Sequence, residues 1–444
     1  MTYSIRSLSI SIFLALAITA CASSAPEGPV VVTRERPLEL PQIEVVPPTQ
    51  SVERRDRDRD RDRFVTPLHM QGEEPVRVGL LLPFSAQSEA AQSIASAMFD
   101  AAQLAGFEAG DDRFLIIPKD TRGTAEGANA AARAALADGA EILLGPLYGA
   151  AVKAAADIAQ AADVPMIAFT SDNDLAREGV FLLSYPPEAE IERITEYAVA
   201  NGMTRFGLMA PATRYGKRVV TSFNDEVFNR GGTLVHQELY DQDVDAMREP
   251  AKRLAQYSMD VVPFELRHEY DPDAEPLGDD QGYLRGYQAV LVPERGTLLR
   301  ALAPLFPYYN VNIQKVKLLG VSSWNNPLLT REPALQGGWF AGPDPTITSV
   351  FEEKFEATFG EKPPRLASLA YDATLLTARL AQEPRRNVRF NLRAITDPNG
   401  YFGADGLFRL RPDGSVERGL AILEIQPGGI QVIDPAPRSF GPFF

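Results

Sequence analysis

From Val76 onward the chain alternates short apolar runs with longer segments whose apolar residues recur at helical spacing. Val76-Arg77-Val78-Gly79-Leu80-Leu81-Leu82 reads as a strand ended by Pro83. Near-continuous apolar character is what a strand needs when both of its faces are covered. The next segment places Ile94, Met98, Ala101 and Ala105 on one face of a helix. Strand 114–118, helix 123–137, strand 141–145, helix 149–161 and strand 165–169 continue the alternation. A second series follows: helix 188–200, strand 205–209, helix 215–230, strand 233–240, helix 246–256, strand 288–292, helix 296–306 and strand 316–320. Strands alternating with helices of this length predict parallel sheets covered on both faces. The expected fold class is therefore α/β, with two doubly wound parallel-sheet units.

Upstream of Val76 the pattern breaks. Residues 1–20 carry one Arg, at position 6, and an apolar run from Leu8 to Ile18, followed by Ile18-Thr19-Ala20 and then Cys21. This is the layout of a secretory signal, and the run is shorter than the roughly 20 residues of a spanning helix. It resembles the lipoprotein signal of bacteria, which implies lipidation of Cys21; the alternative is a plain secretory signal with an incidental Cys. Ala22 follows the Cys where inner-membrane retention is associated with Asp, so the resemblance implies the outer membrane, facing the periplasm.

Between Cys21 and Pro75, Pro26, Pro29, Pro37, Pro41, Pro47, Pro48 and Pro67 interrupt every apolar run, and Arg55 to Arg63 alternates Arg with Asp. Such a segment reads as a disordered, solvated tether. A nucleic-acid or phospholipid patch is the other reading of that run, but five Arg against four Asp nearly cancel.

Composition narrows the chemistry. The 444 residues hold 44 Lys+Arg against 59 Asp+Glu, a formal charge of −15, which leaves no general basic surface for nucleic acid. One Cys and three His exclude a disulfide framework or a Cys/His metal cage within one chain. Asp271-Pro272-Asp273-Ala274-Glu275 begins like a calcium loop, but Pro276 stands where the loop needs Gly. Asp100, Glu126 and Asp157 give no converging carboxylate pair by spacing, and His236 has no nucleophile motif near it. No cofactor, no metal and no catalytic residue is expected.

Several short motifs in register now carry a resemblance: Val78-Gly79-Leu80-Leu81-Leu82-Pro83, Asp120-Thr121, Gly145-Pro146-Leu147, Pro165-Met166-Ile167-Ala168-Phe169-Thr170-Ser171 and Tyr215-Gly216. Together they resemble the type I periplasmic binding proteins of the leucine-binding kind. The resemblance implies two lobes joined by three crossings, near Pro186-Pro187, Gly342-Pro343 and Asn399-Gly400. It divides the chain into a signal peptide (1–20), lipidated Cys and tether (21–75), binding domain (76–434) and tail (435–444). Lobe 1 would take about 76–187 and 343–399, lobe 2 about 188–342 and 400–434. Cleft-lining positions would be Ser85, Gly149, Thr170, Ser171, Asp172, Tyr215 and Ser322. Of the amino-acid receptor pattern only Tyr215 and the small hydroxyl character survive; Gly149 replaces a Ser, and Ser322 stands where an acidic residue meets the ligand's ammonium. Loss of that acid argues against tight binding of a zwitterion, because an uncompensated buried ammonium is costly.

With Tyr185-Pro186-Pro187-Glu188, Trp324-Asn325-Asn326-Pro327, Gly337-Gly338-Trp339-Phe340, Ala370-Tyr371-Asp372-Ala373 and Gly406-Leu407-Phe408-Arg409-Leu410, the chain is also similar to the penicillin-binding-protein activator lipoproteins, specifically their LpoA-like C-terminal domain. That resemblance implies a non-enzymatic partner of a class A penicillin-binding protein in peptidoglycan synthesis. The alternative is a lipid-anchored solute receptor for an amino-acid-type ABC transporter. Trp324 and Trp339 read either as core or as exposed anchors for a partner.

Overall fold

The computed structural model describes residues 74–258, 260–262 and 283–441. Cys21, the signal stretch, the tether up to residue 73 and the acidic stretch at 271–275 lie outside the described residues.

The first lobe opens with β1 (Val76–Leu82), α1 (Glu89–Ala109), β2 (Phe114–Asp120), α2 (Ala125–Ala137), β3 (Ile142–Leu144), α3 (Gly149–Ala161), β4 (Met166–Ala168) and β5 (Val180–Leu182). These strands form one parallel sheet in the order β2-β1-β3-β4-β5, with Val78 facing Ile116 on one side and Ile142 on the other. The alanine faces of α2 and α3 pack on Leu81, Leu143 and Leu182, and their small side chains bring helix and sheet close together. Gly79 is part of that closeness: a Cβ there would lie 2.7 Å from Leu143 and 2.9 Å from Ala135.

The second lobe takes α4 (Pro187–Ala200), β6 (Arg205–Pro211), α5 (Arg214–Asn229), β7 (Thr233–Tyr240), α6 (Arg248–Ala255), β8 (Asp260–Val262), β9 (Tyr283–Arg285), β10 (Ala289–Leu291), α7 (Gly296–Leu302), α8 (Leu305–Tyr308), β11 (Lys317–Gly320) and β12 (Trp339–Gly342). The helix expected over 296–306 is two pieces, because Pro304 cannot donate the backbone bond that would continue it. The chain then returns to the first lobe as α9 (Pro345–Phe359) and α10 (Ala367–Ala381), followed by the single turns α11 (Arg386–Arg389) and α12 (Leu392–Ile395). A small antiparallel sheet of β13 (Tyr401–Gly403), β14 (Gly406–Leu410) and β15 (Val416–Arg418) comes next. Finally β16 (Ala421–Gln426) and β17 (Gly429–Asp434) add antiparallel edges to the second sheet, whose order is β17-β16-β12-β11-β10-β6-β7.

The cores show where the chain crosses. Leu183 packs in the first core and Ile191 in the second, Phe340 in the second and Phe351 with α1, and Val416 in the first before Leu420 in the second. The third crossing is therefore at Gly419, not near Asn399-Gly400. Residues 401–418 belong with the first lobe because Tyr401, Phe408 and Leu410 are buried against its sheet.

Candidate functional site

Open α/β sheets place ligands at the carboxyl ends of their strands, and here the segment after β4 in the first lobe meets the start of α5, after β6, in the second. On the first-lobe side, β4 runs into Thr170, Ser171 and Asp172, with the Thr170 hydroxyl accepting the Asp172 N–H at 3.3 Å. Gly149 begins α3 beside them; a Cβ on it would lie 3.5 Å from the Asp172 carboxylate. That carboxylate therefore stands at the amino end of α3. Ser85 follows β1, exposed, and is occupied with Asp120, to which its hydroxyl donates at 2.5 Å; no described bond links it to the Thr170–Asp172 loop.

On the second-lobe side, Thr213 caps α5 by accepting the Gly216 N–H, which sets Tyr215 at the helix start. Burial pushes the Tyr215 hydroxyl up from its ordinary value, and Glu190 and Glu294 act in the same direction. Ser322 follows β11 and is buried. Its N–H donates to Glu190 at 3.1 Å and its hydroxyl also donates to Glu190. Glu190, from the first turn of α4, is thus a buried acid held at Ser322. Burial raises the Glu190 carboxyl above the ordinary range, against the opposing pull of Arg365 and the two Ser322 hydrogen bonds. Glu294, 2% exposed at the end of β10, accepts from the Tyr240 hydroxyl at 2.8 Å.

Charged pairs join the lobes across this space. Arg214 donates to Asp172 at 2.8 and 3.1 Å and to Asp174 at 2.7 Å. Arg218, held within its own lobe by Glu188 at 2.7 Å, donates across to the Ser171 carbonyl at 2.7 Å. The Arg214 side chain is 67% exposed, so each of its pairs is worth at most about 1 kcal/mol and weakens with salt. A fastening this weak permits opening.

The hinge side is buried and polar. Arg365, just before α10, donates to the Ser322 hydroxyl at 2.7 Å, linking the lobes. Arg365 and Arg418 lie over opposite parts of the same neighbourhood, 4.3 and 4.4 Å from the Tyr185 ring centre. The Tyr185 hydroxyl donates to Asp405. A cavity of about 150 Å³ opens here, lined among others by Ser322, Asn325, Phe351, Arg365 and Asp405.

Asp372 lies deeper, accepting the Ala404 N–H at 2.6 Å, with Arg418 4.0 Å away. Burial, reinforced by Asp405, pushes its carboxyl up to about 8. A raised carboxyl means that the native state holds a proton the unfolded chain has lost. The resulting stabilisation is full below the unfolded value of about 3.9 and gone once pH exceeds about 8. Urea unfolding between pH 5 and 8 should show stability falling as pH rises, by at most about 1.4 kcal/mol per pH unit from this group. Asp372→Asn should flatten that slope; an unchanged slope would contradict the assignment.

Sequence reasoning named Ser85, Gly149, Thr170, Ser171, Asp172, Tyr215 and Ser322; the structure sets Gly149 beside Asp172, Tyr215 next to the Arg214 that bonds Asp172, Ser322 on Glu190, and Ser85 on Asp120. It missed Glu190, Glu294, Arg214, Arg218 and Arg365. Trp324 is fully buried and Trp339 half-buried with its indole N–H on Glu424, so both belong to the core rather than to an exposed anchor. His236 stacks on Tyr257 and bonds Glu238. Among the described residues no helix is long and apolar enough to cross a membrane, and no three His, Cys, Asp or Glu converge as a metal site.

Residues 75–265 match the family described as periplasmic binding protein. No curated protein matches the chain. Among solved structures, a putative branched-chain amino acid ABC transporter protein from Rhodospirillum rubrum is 18% identical. The match covers 81% of this chain and 100% of that one, with a TM-score of 0.66. An ABC transporter substrate-binding protein from Desulfitobacterium hafniense in complex with Leu is 17% identical over 81% of this chain and 100% of its own, with a TM-score of 0.57. A solute-binding protein from R. palustris in complex with benzoate is 16% identical over 82% and 97%, with a TM-score of 0.55. These solute-binding likenesses overturn the expectation of an activator of a class A penicillin-binding protein and of a role in peptidoglycan synthesis. Binding proteins of this family are non-catalytic. With two doubly wound parallel-sheet lobes joined by crossovers, the chain has the type I periplasmic-binding-protein fold.

Proposed function

We propose that the chain is a lipid-anchored solute-binding receptor for an ABC transporter of the amino-acid-receptor type. One observation carries this reading: a cleft between two lobes with a buried carboxylate, Glu190, held at Ser322 beside Tyr215 on one wall and the Thr170–Asp172 loop on the other. The bridging pairs at its mouth are exposed enough to part and re-form as a solute enters. Lipidation at Cys21 would tether the receptor in the outer membrane, where three acyl chains at about 0.8 kcal/mol per buried methylene hold firmly. The stretch to Pro75 has an extended limit of about 190 Å, which lets the domain meet a permease in the opposite membrane.

Removing the protein from its cells should abolish uptake of at least one solute from a defined medium, restored by the wild-type chain and not by Tyr215→Ala. Unchanged consumption of every solute in the medium would contradict the receptor reading. Cys21→Ser, which lacks the sulfur for the thioether, should move the chain to the soluble fraction; acyl groups still found on it by mass spectrometry would contradict the anchor.

A further inference from the structure

We propose that the hinge cavity lined by Arg365, Asp405 and Glu352 is a second binding site, and that it takes a short amino zwitterion, an ammonium and a carboxylate on one small carbon chain. This goes beyond the receptor reading and does not rest on it. Of the cleft positions read from the sequence, only Ser322 lines this cavity. Its walls carry both signs of charge, each with groups left over.

The acidic side is the more buried. Asp405, between β13 and β14, is 4% exposed. It accepts from the Tyr185 hydroxyl and, at 3.2 Å, from the Thr348 hydroxyl. Among the described residues no cation lies within 4.0 Å of it. Two neutral hydroxyls leave its charge unpaired where little water reaches, which is costly. Glu352, on α9, lines the same cavity and has no hydrogen bond or ion pair of its own among the described residues. Burial raises its carboxyl and Asp405 pushes the same way, against the pull of Lys362. An ammonium between these carboxylates relieves both, because its N–H groups can bond each of them.

Arg365 supplies the opposite sign. One of its amino groups donates to the Ser322 hydroxyl at 2.7 Å and lies 3.8 Å from Glu190. Its Nε and its other amino group have no partner among the described residues. The guanidinium carbon lies 4.3 Å from the Tyr185 ring centre, which holds the plane of the group. A planar guanidinium with free N–H groups is the donor a carboxylate fits best. An amine alone would leave those donors unanswered, and a carboxylate alone would meet Asp405, like charge on like charge. Buried Phe351 and Pro343 line the cavity as well, an apolar surface suited to a bare carbon chain. The cavity is about 150 Å³, and a space of about that size takes a benzene-sized molecule. Glycine, alanine and β-alanine are of that size or smaller, whereas leucine is larger.

The test is calorimetric titration of the full chain in detergent micelles. The probes are glycine, alanine and β-alanine as short zwitterions, ethylamine as an ammonium alone and propionate as a carboxylate alone. At least one zwitterion should bind about tenfold or more tightly than ethylamine and propionate. Asp405→Asn, which removes the buried charge and keeps an acceptor, should weaken that zwitterion about tenfold. Glu352→Gln, at a more exposed position that the fold tolerates, should weaken it about threefold, and it decides the matter if Asp405→Asn does not fold. Tyr215→Ala should leave the binding within about twofold, since additivity holds for sites that share no partner. Ethylamine or propionate binding as tightly as every zwitterion would overturn the inference. Binding lost in Tyr215→Ala but kept in folded Glu352→Gln would put the zwitterion in the cleft, overturning this inference and leaving the receptor reading standing. No binding of any probe at millimolar concentration would overturn the hinge site without touching the receptor reading, which names no short zwitterion.

Discussion

Trp324→Ala is expected to destabilise the second lobe by about 3–5 kcal/mol, the usual cost of truncating a large aromatic in a core. The indole is fully buried and belongs to the larger lobe's core. Two glycines make room for it: a Cβ at Gly320 would lie 2.2 Å from the ring, and one at Gly338 would lie 2.9 Å from it. The backbone of β11 and the approach to β12 are thus fitted to the ring, and little is free to collapse into the space that Ala leaves. The indole N–H has no hydrogen-bond partner, so Trp324→Phe should be much milder, removing an orphaned donor while keeping most of the apolar area. Position also ties the ring to the cleft, since Ser322, Ser323 and Trp324 form one 3-10 turn closed by the Trp324 N–H on Val321. Denaturant unfolding measures the loss; a cost below about 1 kcal/mol for Trp324→Ala would show that the ring is not the anchor it looks to be.

Glu190→Ala is expected to cost about 2–3 kcal/mol, chiefly by leaving the buried Ser322 N–H and hydroxyl without their acceptor. Arg365 also loses its carboxylate, but its side chain is 42% exposed, so water takes up part of that charge and only a small share of the cost comes from it. The consequence reaches beyond stability, because Glu190 and Ser322 belong to the second lobe while Arg365 leads into α10 of the first. Glu190→Gln separates the two effects: it retains an acceptor for Ser322 and drops the charge. Urea melts should therefore rank wild type, Gln and Ala in falling order of stability. A double cycle with Arg365→Ala reads the coupling between lobes, and equal stability of the Ala and Gln forms would contradict the hydrogen-bond account.

Much of the fold was legible because its strands are apolar and its helices periodic. The run Val76 to Leu82 and the alanine face of α3 announce themselves, and α3 spans 149–161 as read. The three-residue strand β5 and the antiparallel additions β16 and β17 were not named. A strand that short has little pattern, and edge strands such as β17 mix exposed and covered positions. Asn399-Gly400 has the composition of a connection, which drew the third crossing there. Gly400 does turn with φ of 73°, but it turns into a hairpin that stays on the first lobe. The cleft residues split along the same line. Tyr215, Thr170 and Asp172 sit within recognisable local motifs, whereas Glu190 meets Ser322 across 132 positions and Arg214 meets Asp172 across 42. Pairings so distant are set by how the lobes fold, and local spacing carries no sign of them.

Equilibrium dialysis of the full chain against a complete small-molecule extract of its cells, read by mass spectrometry, tests most directly whether the cleft holds a solute. A receptor should concentrate a small set of solutes on the wild-type side and lose them in Tyr215→Ala, while the variant keeps its fold by circular dichroism. A wild-type chain that concentrates nothing, or whose solutes are retained in full by folded Tyr215→Ala, would contradict a binding site between the lobes.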